Sequence, residues 1–153
     1  MQLKLSQNSA PNINFAQIDF NEANAPHSLI FDDVYFSDAG GSEETRHVFI
    51  SGNNILERLK NSNKEYFNIG ETGFGSGLNL LTLIQTYNEL SKTLDKKLPK
   101  LNFLTIEAFP MTFADMQKTL QQFPKLEAET KLLLAKYDDK LLKPGLKYHS
   151  SHR

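Results

Sequence analysis

The chain has 153 residues, 39% of them hydrophobic, and a formal net charge of −1, which suits a single domain with an ordinary core. It contains no cysteine, so disulfide scaffolds, thiolate catalysis and thiolate metal sites are excluded together. No apolar run approaches a membrane span, and the polar stretch Met1 to Asn14 lacks the basic start and apolar block of a secretory signal, so a cytoplasmic location is expected.

Residues 1–50 hold seven acids against Lys4 and Arg46, whereas 51–153 hold fifteen basic residues against eleven acids. Solvated surface accounts for this, and contact of the later part with phosphate is the sharper alternative. Overall charge neither demands nor excludes a nucleic-acid partner.

In chain order, residues 1–50 read as β-rich and irregular. Phe15 to Phe20, Ser28 to Phe31, Val34 to Phe36 and His47 to Ile50 are strand candidates, and Asp38-Ala-Gly-Gly-Ser42 is a loop. Residues 53–63 suit a short helix with Ile55, Leu56 and Leu59 on one face. From residue 65 the pattern becomes βαβα. Tyr66 to Ile69 is a strand, and Ser76 to Leu90 a helix with Leu80, Leu81, Ile84 and Tyr87 at helical spacing. The lysine-rich connector Lys92 to Lys100 leads into a strand, Leu101 to Ile106, that ends at Glu107. Pro110 is expected to open a helix that buries Phe113, Met116 and Leu120 and stops near Pro124. A third helical segment, 126–136, buries Leu133 and Leu134. Lys143-Pro-Gly145 reads as a turn, and Leu146-Lys-Tyr148 as the start of another strand.

Strand–helix–strand–helix is half of a doubly wound sheet, and its first βα turn is Gly70-Glu-Thr-Gly-Phe-Gly-Ser-Gly-Leu-Asn79. Glycines belong there because the backbone must bend through angles that a Cβ opposes and must come close to a ligand. A P-loop needs Gly-Lys-Ser/Thr, but Leu78-Asn79 follows Gly77. The dinucleotide fingerprint G-x-G-x-x-G fails because Leu78 stands where its third glycine should be. A plain tight turn is the bland alternative. Glu107 lies thirty residues after Gly77, beyond the roughly 20 of a compact unit; the lysine-rich connector explains the surplus. It reads equally as an exposed strand-end carboxylate or a ribose ligand.

The pattern Glu71-x-Gly73-x-Gly75-x-Gly77 resembles motif I of class I S-adenosylmethionine-dependent methyltransferases. That resemblance implies that the turn packs against the methionine and ribose portion of S-adenosylmethionine. Glu71 would face its amino group, Glu107 would take the ribose hydroxyls, and Asn79 would complete the motif. Phe109 would stand beside adenine, although an aromatic there is more often core.

Three further blocks narrow the resemblance: Phe31-Asp-Asp-Val-Tyr-Phe-Ser37, Glu43-Glu-Thr-Arg-His-Val-Phe49 with Gly52-Asn53, and the glycine turn with Ile106-Glu-Ala-Phe-Pro110. In this order they resemble the N-terminal methyltransferase domain of the MnmC family of bifunctional tRNA wobble-uridine modification enzymes. The resemblance covers roughly residues 20–148. It implies a partial class I methyltransferase (Rossmann-like) doubly wound α/β sheet in residues 65–153, with a β-rich segment, residues 1–64, packed on it. It also implies methyl transfer from S-adenosylmethionine to 5-aminomethyl-(2-thio)uridine in tRNA. The family's other half uses FAD; no FAD is expected here, and a separate FAD-dependent oxidoreductase polypeptide is a candidate partner.

The family's later Asp and Phe-Ser/Ala-Pro-like loop has no counterpart before Arg153, and Asp138 and Asp139 do not replace it. The expectation is a truncated domain without an assigned catalytic residue, weak or inactive alone. The alternatives are a non-catalytic remnant that binds S-adenosylmethionine or tRNA and, more remotely, a nicotinamide-dependent oxidoreductase. Asp32, Asp33, Tyr35 and Phe36 suit either the mouth of the pocket or a turn followed by a packed aromatic strand. Glu43, Glu44 and Arg46 suit a local ion network. His27, His47, His149 and His152 form no convincing metal constellation.

Overall fold

The computed structural model describes residues 13–22, 24–37 and 40–138, together with the backbone of 150–151. Three short strands, β1 (Ile18–Phe20), β2 (Pro26–Ser28) and β3 (Asp33–Val34), form an antiparallel sheet in that order. The expected strand Ser28 to Phe31 is displaced: β2 ends at Ser28, and residues 29–32 form the turn into β3, with Asp32 in the left-handed region at φ 50. Aspartate tolerates that conformation better than most residues.

The chain then becomes helical where strand was expected. Helix α1 (Gly41–Thr45) runs into a π-helical turn, Arg46–Ser51, and α2 (Ile55–Asn61) follows. The β-branched and aromatic run His47 to Ile50 is therefore not a strand. Tertiary packing overrides its local propensity: Ile50 is buried in one core with Ile55 and Leu59, while the Arg46 guanidinium reaches the following long helix.

Strands β4 (Tyr66–Thr72) and β5 (Lys100–Ile106) pair in parallel, from Tyr66 opposite Lys100 to Thr72 opposite Ile106. Helix α3 (Leu78–Thr93) joins them, so the expected β–α–β unit is present and the fold is α/β. A two-residue strand, β6 (Ser150–Ser151), lies antiparallel to β5 rather than extending the parallel set. The expected turn Lys143–Gly145 and strand start Leu146–Tyr148 lie outside the described residues, as do Asp139, His149 and His152.

Side chains alternate across the sheet. Phe67, Leu101 and Phe103 face a core built with Ile50, Ile55, Leu59, Leu83, Leu90 and Leu98. Full burial of each such side chain contributes about 1.5–3 kcal/mol. On the opposite face Tyr66, Leu104 and Ile106 are exposed, and the Asn102 side-chain amide donates to Asn68 Oδ1 at 2.9 Å. Helix α3 is buried on two sides, since Leu78 and Leu81 join a second core with Phe36, Met111, Met116, Leu120 and Leu126. This explains why its apolar residues, Leu78, Leu80, Leu81, Leu83, Ile84, Tyr87 and Leu90, spread over more than one narrow stripe.

Helix α4 (Phe113–Leu120) begins after Thr112, not at Pro110. Thr112 Oγ1 accepts from the Asp115 N–H at 3.1 Å and donates to Asp115 Oδ2 at 2.7 Å, an N-cap that outranks the proline. A 3₁₀ turn, Pro124–Leu126, leads into α5 (Glu127–Leu134). Leu133 and Leu134 are half-buried against the second core, not fully enclosed. The carbonyl of Pro110 accepts from the Ala16 N–H at 3.0 Å, and the Tyr137 hydroxyl donates to the carbonyl of Met111 at 2.6 Å. These two bonds tie both flanks to the segment after β5.

Candidate functional site

The residues singled out by sequence converge at the carboxyl ends of β4 and β5, where open α/β sheets place their ligands. Gly73, Gly75 and Gly77 have φ values of 81°, 54° and 79°, a region costly for residues with a Cβ. A Cβ on Gly75 would lie 3.3 Å from Tyr35 Cδ1, and one on Gly77 only 2.8 Å from Phe74 Cζ and 3.0 Å from Leu133 Cδ2. The glycines thus permit both the bend and the close approach of neighbouring side chains.

The amides of these glycines are already engaged. Gly73 N–H donates to the carbonyl of Ile106 at 2.7 Å and Gly77 N–H to that of Phe74 at 2.9 Å. Gly75 N–H donates to Glu107 Oε2 at 2.9 Å, and Glu107 Oε1 accepts from the Phe109 N–H, also at 2.9 Å. Glu107 therefore clamps the glycine turn to the loop after β5, an arrangement that neither strand-end reading of this residue had anticipated.

Glu71 is the penultimate residue of β4, on the side of the sheet that carries the helices. Its Oε1 accepts from the Asn79 side-chain amide at 2.7 Å, whereas its Oε2 is buried without a hydrogen-bond partner. Burial pushes the carboxyl above its ordinary range; Asn79 and the nearby Thr105 hydroxyl oppose that shift, and the charge of Glu107 adds to it. Thr105 sits opposite Glu71 in the strand register, and its Oγ1 likewise lacks a partner within hydrogen-bonding geometry. The sequence reading missed Thr105. Its position in β5 two residues before Glu107, and so on the face that alternation assigns to that residue, was the available signal.

The segment after β2 divides its residues. Tyr35 lies against the glycine turn, and its hydroxyl is raised above its ordinary pKa by burial first, then by the charges of Glu107 and Asp115. Phe36 turns into the second core, with its ring 5.1 Å edge-to-face from Phe123. Asp32 and Asp33 are exposed; Asp32 Oδ1 lies 3.3 Å from His27 Nε2, and Asp33 Oδ1 accepts from the Val34 N–H. The packed aromatic of the structural reading is thus Phe36, while Tyr35 is the member of the segment that meets the glycine turn. Phe109 is not core: its ring meets Phe31 edge-to-face at 5.5 Å.

The network expected among Glu43, Glu44 and Arg46 is replaced by contacts to other elements. Glu44 accepts from the Ser37 hydroxyl at 2.8 Å. Arg46 donates to Gln85 and Thr86 on α3 and approaches Glu89 at 3.7 Å. A groove of about 800 Å³ runs beside these residues, between Phe36, Arg46, Glu89 and Phe123. None of the glycine-turn residues lines it, so volume and chemistry point to different places, and the unpaired carboxylate oxygen makes the turn the better candidate. Among the described residues no group of His, Asp or Glu is arranged to hold a metal ion, and no helix is long and apolar enough to cross a membrane.

No protein-family model matches the chain. It is 43% identical over 112 residues to the tRNA 5-methylaminomethyl-2-thiouridine biosynthesis bifunctional protein MnmC of Vibrio campbellii, covering 72% of this chain and 17% of that protein. The MnmC of Aliivibrio fischeri is 44% identical over 123 residues, covering 80% and 18%. That of Pseudomonas fluorescens is 40% identical over 128 residues, covering 83% and 19%. The chain thus spans less than a fifth of the length of these curated relatives. Among solved structures, MNMC2 from Aquifex aeolicus is similar at 20% identity and a TM-score of 0.41, covering 74% of this chain and 39% of that one; this is too distant to add to the fold already described.

Proposed function

The chain is homologous to a part of the MnmC proteins, and from that premise we propose that it binds S-adenosylmethionine for methylation of the tRNA wobble uridine. The observation that carries the proposal is Glu71 Oε2, a buried acceptor without a partner, beside a turn of three positive-φ glycines. A buried carboxylate oxygen left unpaired is costly, and the amino group of an aminoacyl cofactor supplies both the hydrogen bond and the opposite charge.

In this reading Glu71 receives the amino group and Asn79 fixes the carboxylate's orientation. The glycine turn packs against the methionine and ribose portion, where a Cβ on Gly75 would crowd the Tyr35 ring. Glu107 receives the ribose hydroxyls by sharing or exchanging its bond to Gly75. Phe109, anchored through its own amide, stands at the adenine end. When bound, the cofactor would supply a sulfonium methyl for the 5-aminomethyl nitrogen, with its thioether as the leaving group and with water taking the proton that frees the amine's lone pair. The protein's part is to position the donor and shed water from the site.

In this reading Glu71 is committed to the cofactor's amino group and Glu107 to the turn and the loop after β5, so neither is assigned to take the amine proton. Binding by this chain alone is therefore expected to outrun turnover, which favours a cofactor- or tRNA-binding role as the second reading. Calorimetry with S-adenosylmethionine and with NADH, alongside transfer of labelled methyl to tRNA bearing 5-aminomethyluridine, tests both. Saturable NADH binding without S-adenosylmethionine binding sinks the proposal. Turnover at an enzyme-like rate sinks the binding-only reading.

A further inference from the structure

Phe31 is 63% exposed at the tip of the β2–β3 hairpin, yet its ring is not loose. It packs edge-to-face on Phe109, with centroids 5.5 Å apart and planes at 70°. The Phe109 N–H is held by Glu107 Oε1, and Glu107 Oε2 holds the Gly75 N–H. Four residues after Phe31, Tyr35 lies against Gly75. The hairpin is thus tied to the glycine turn at two points, and an exposed aromatic ring stands at a fixed place beside it. Contact with one neighbour leaves at least one face of Phe31 open.

We propose that Phe31 is the stacking platform for the substrate nucleobase, and that Asp32 and Asp33 beside it favour a base carrying a cationic amine. The inference rests on the methyltransferase reading for its substrate class. Bases of single-stranded RNA loops stack on exposed aromatic rings. The two exposed carboxylates that follow Phe31 in the chain, Asp32 with Oδ1 3.3 Å from His27 Nε2 and Asp33 with Oδ1 on the Val34 N–H, disfavour a bare phosphate backbone. They attract a base whose 5-substituent is an ammonium, and a 5-aminomethyluridine has both properties. The left-handed turn at Asp32 places Phe31 and Asp33 on either side of one tight tip, within reach of one ligand.

The test uses the whole chain at one fixed salt concentration. Its probes are an anticodon stem-loop RNA with 5-aminomethyluridine at the wobble position and the same RNA with uridine there. Fluorescence anisotropy should show tighter binding of the amine-bearing RNA. Phe31→Ala should weaken that binding about fivefold to a hundredfold, and Phe31→Trp should retain it. The double change Asp32→Asn and Asp33→Asn should remove the preference for the amine while leaving residual binding. S-adenosylmethionine affinity should be the same in Phe31→Ala as in the unmodified chain. Unchanged RNA binding in Phe31→Ala, or no RNA binding by the unmodified chain, overturns the proposal. So does a parallel loss of S-adenosylmethionine affinity, which would make Phe31 a cofactor wall. If the chain binds RNA through Phe31 but never binds S-adenosylmethionine, the cofactor reading fails and the stacking platform stands.

Discussion

The Glu107 carboxylate accepts the Gly75 N–H at 2.9 Å, so the residue after one strand sets the shape of the turn after another, thirty-two positions earlier. With its second oxygen on the Phe109 N–H, a single side chain organises both loops at the carboxyl end of the sheet. Replacing it with alanine leaves two amides to find other partners. The expected cost is about 1–3 kcal/mol, toward the lower end because the site is half-open to water. Urea denaturation measures that loss, and calorimetry should show S-adenosylmethionine affinity falling about tenfold or more. Unaltered affinity in a folded Glu107→Ala protein would remove Glu107 from the site.

Gly75 and Gly77 should respond differently to substitution. Gly75→Ala meets a left-handed φ of 54° and the Tyr35 ring, so strain of about 1–2 kcal/mol is expected, together with weaker cofactor binding. Gly77→Ala adds contacts of 2.8 Å to Phe74 and 3.0 Å to Leu133, which must move. Thermal unfolding should therefore rank Gly77→Ala as the more destabilising. The reverse order would contradict the packing described around α3 and α5.

Glu71 gives the site a pH dependence of known sign. Its folded-state pKa is raised above the ordinary value, mainly by burial. Between the two values the native protein holds a proton that the unfolded chain has released. The stability linked to Glu71 is fully present below the unfolded pKa and is lost as pH rises through the folded one. Cofactor affinity should run the opposite way, rising with pH over the same window, because the ionised form pairs with an amino group. Titrating both quantities in Glu71→Gln should flatten both slopes; slopes that persist belong to another group.

Ile106 is 68% exposed on the sheet face away from the cores, beside exposed Leu104. Exposed apolar sheet surface of this kind promotes association. Ile106→Lys is expected to lower self-association in sedimentation experiments while changing unfolding stability by less than about 0.5 kcal/mol. A large loss of stability instead would show that Ile106 is covered in solution.

Sequence alone carried the β4–α3–β5 unit, because period-2 and period-3.6 patterns report which face of an element is buried. The glycine turn was equally legible, since a run of alternating glycines after a strand has few conformational purposes. Glu71, Asn79 and Glu107 could be named from their offsets to it. Tertiary structure decided the rest. His47 to Ile50 has the composition of a strand, but packing of Ile50 and the reach of Arg46 to α3 wind it into a helix. No local pattern encodes a bond from Glu107 to Gly75, an unpaired Glu71 Oε2, or a Phe31 ring braced on Phe109. Each depends on residues distant in sequence meeting at one sheet edge, and spacing along the chain does not determine distances in space.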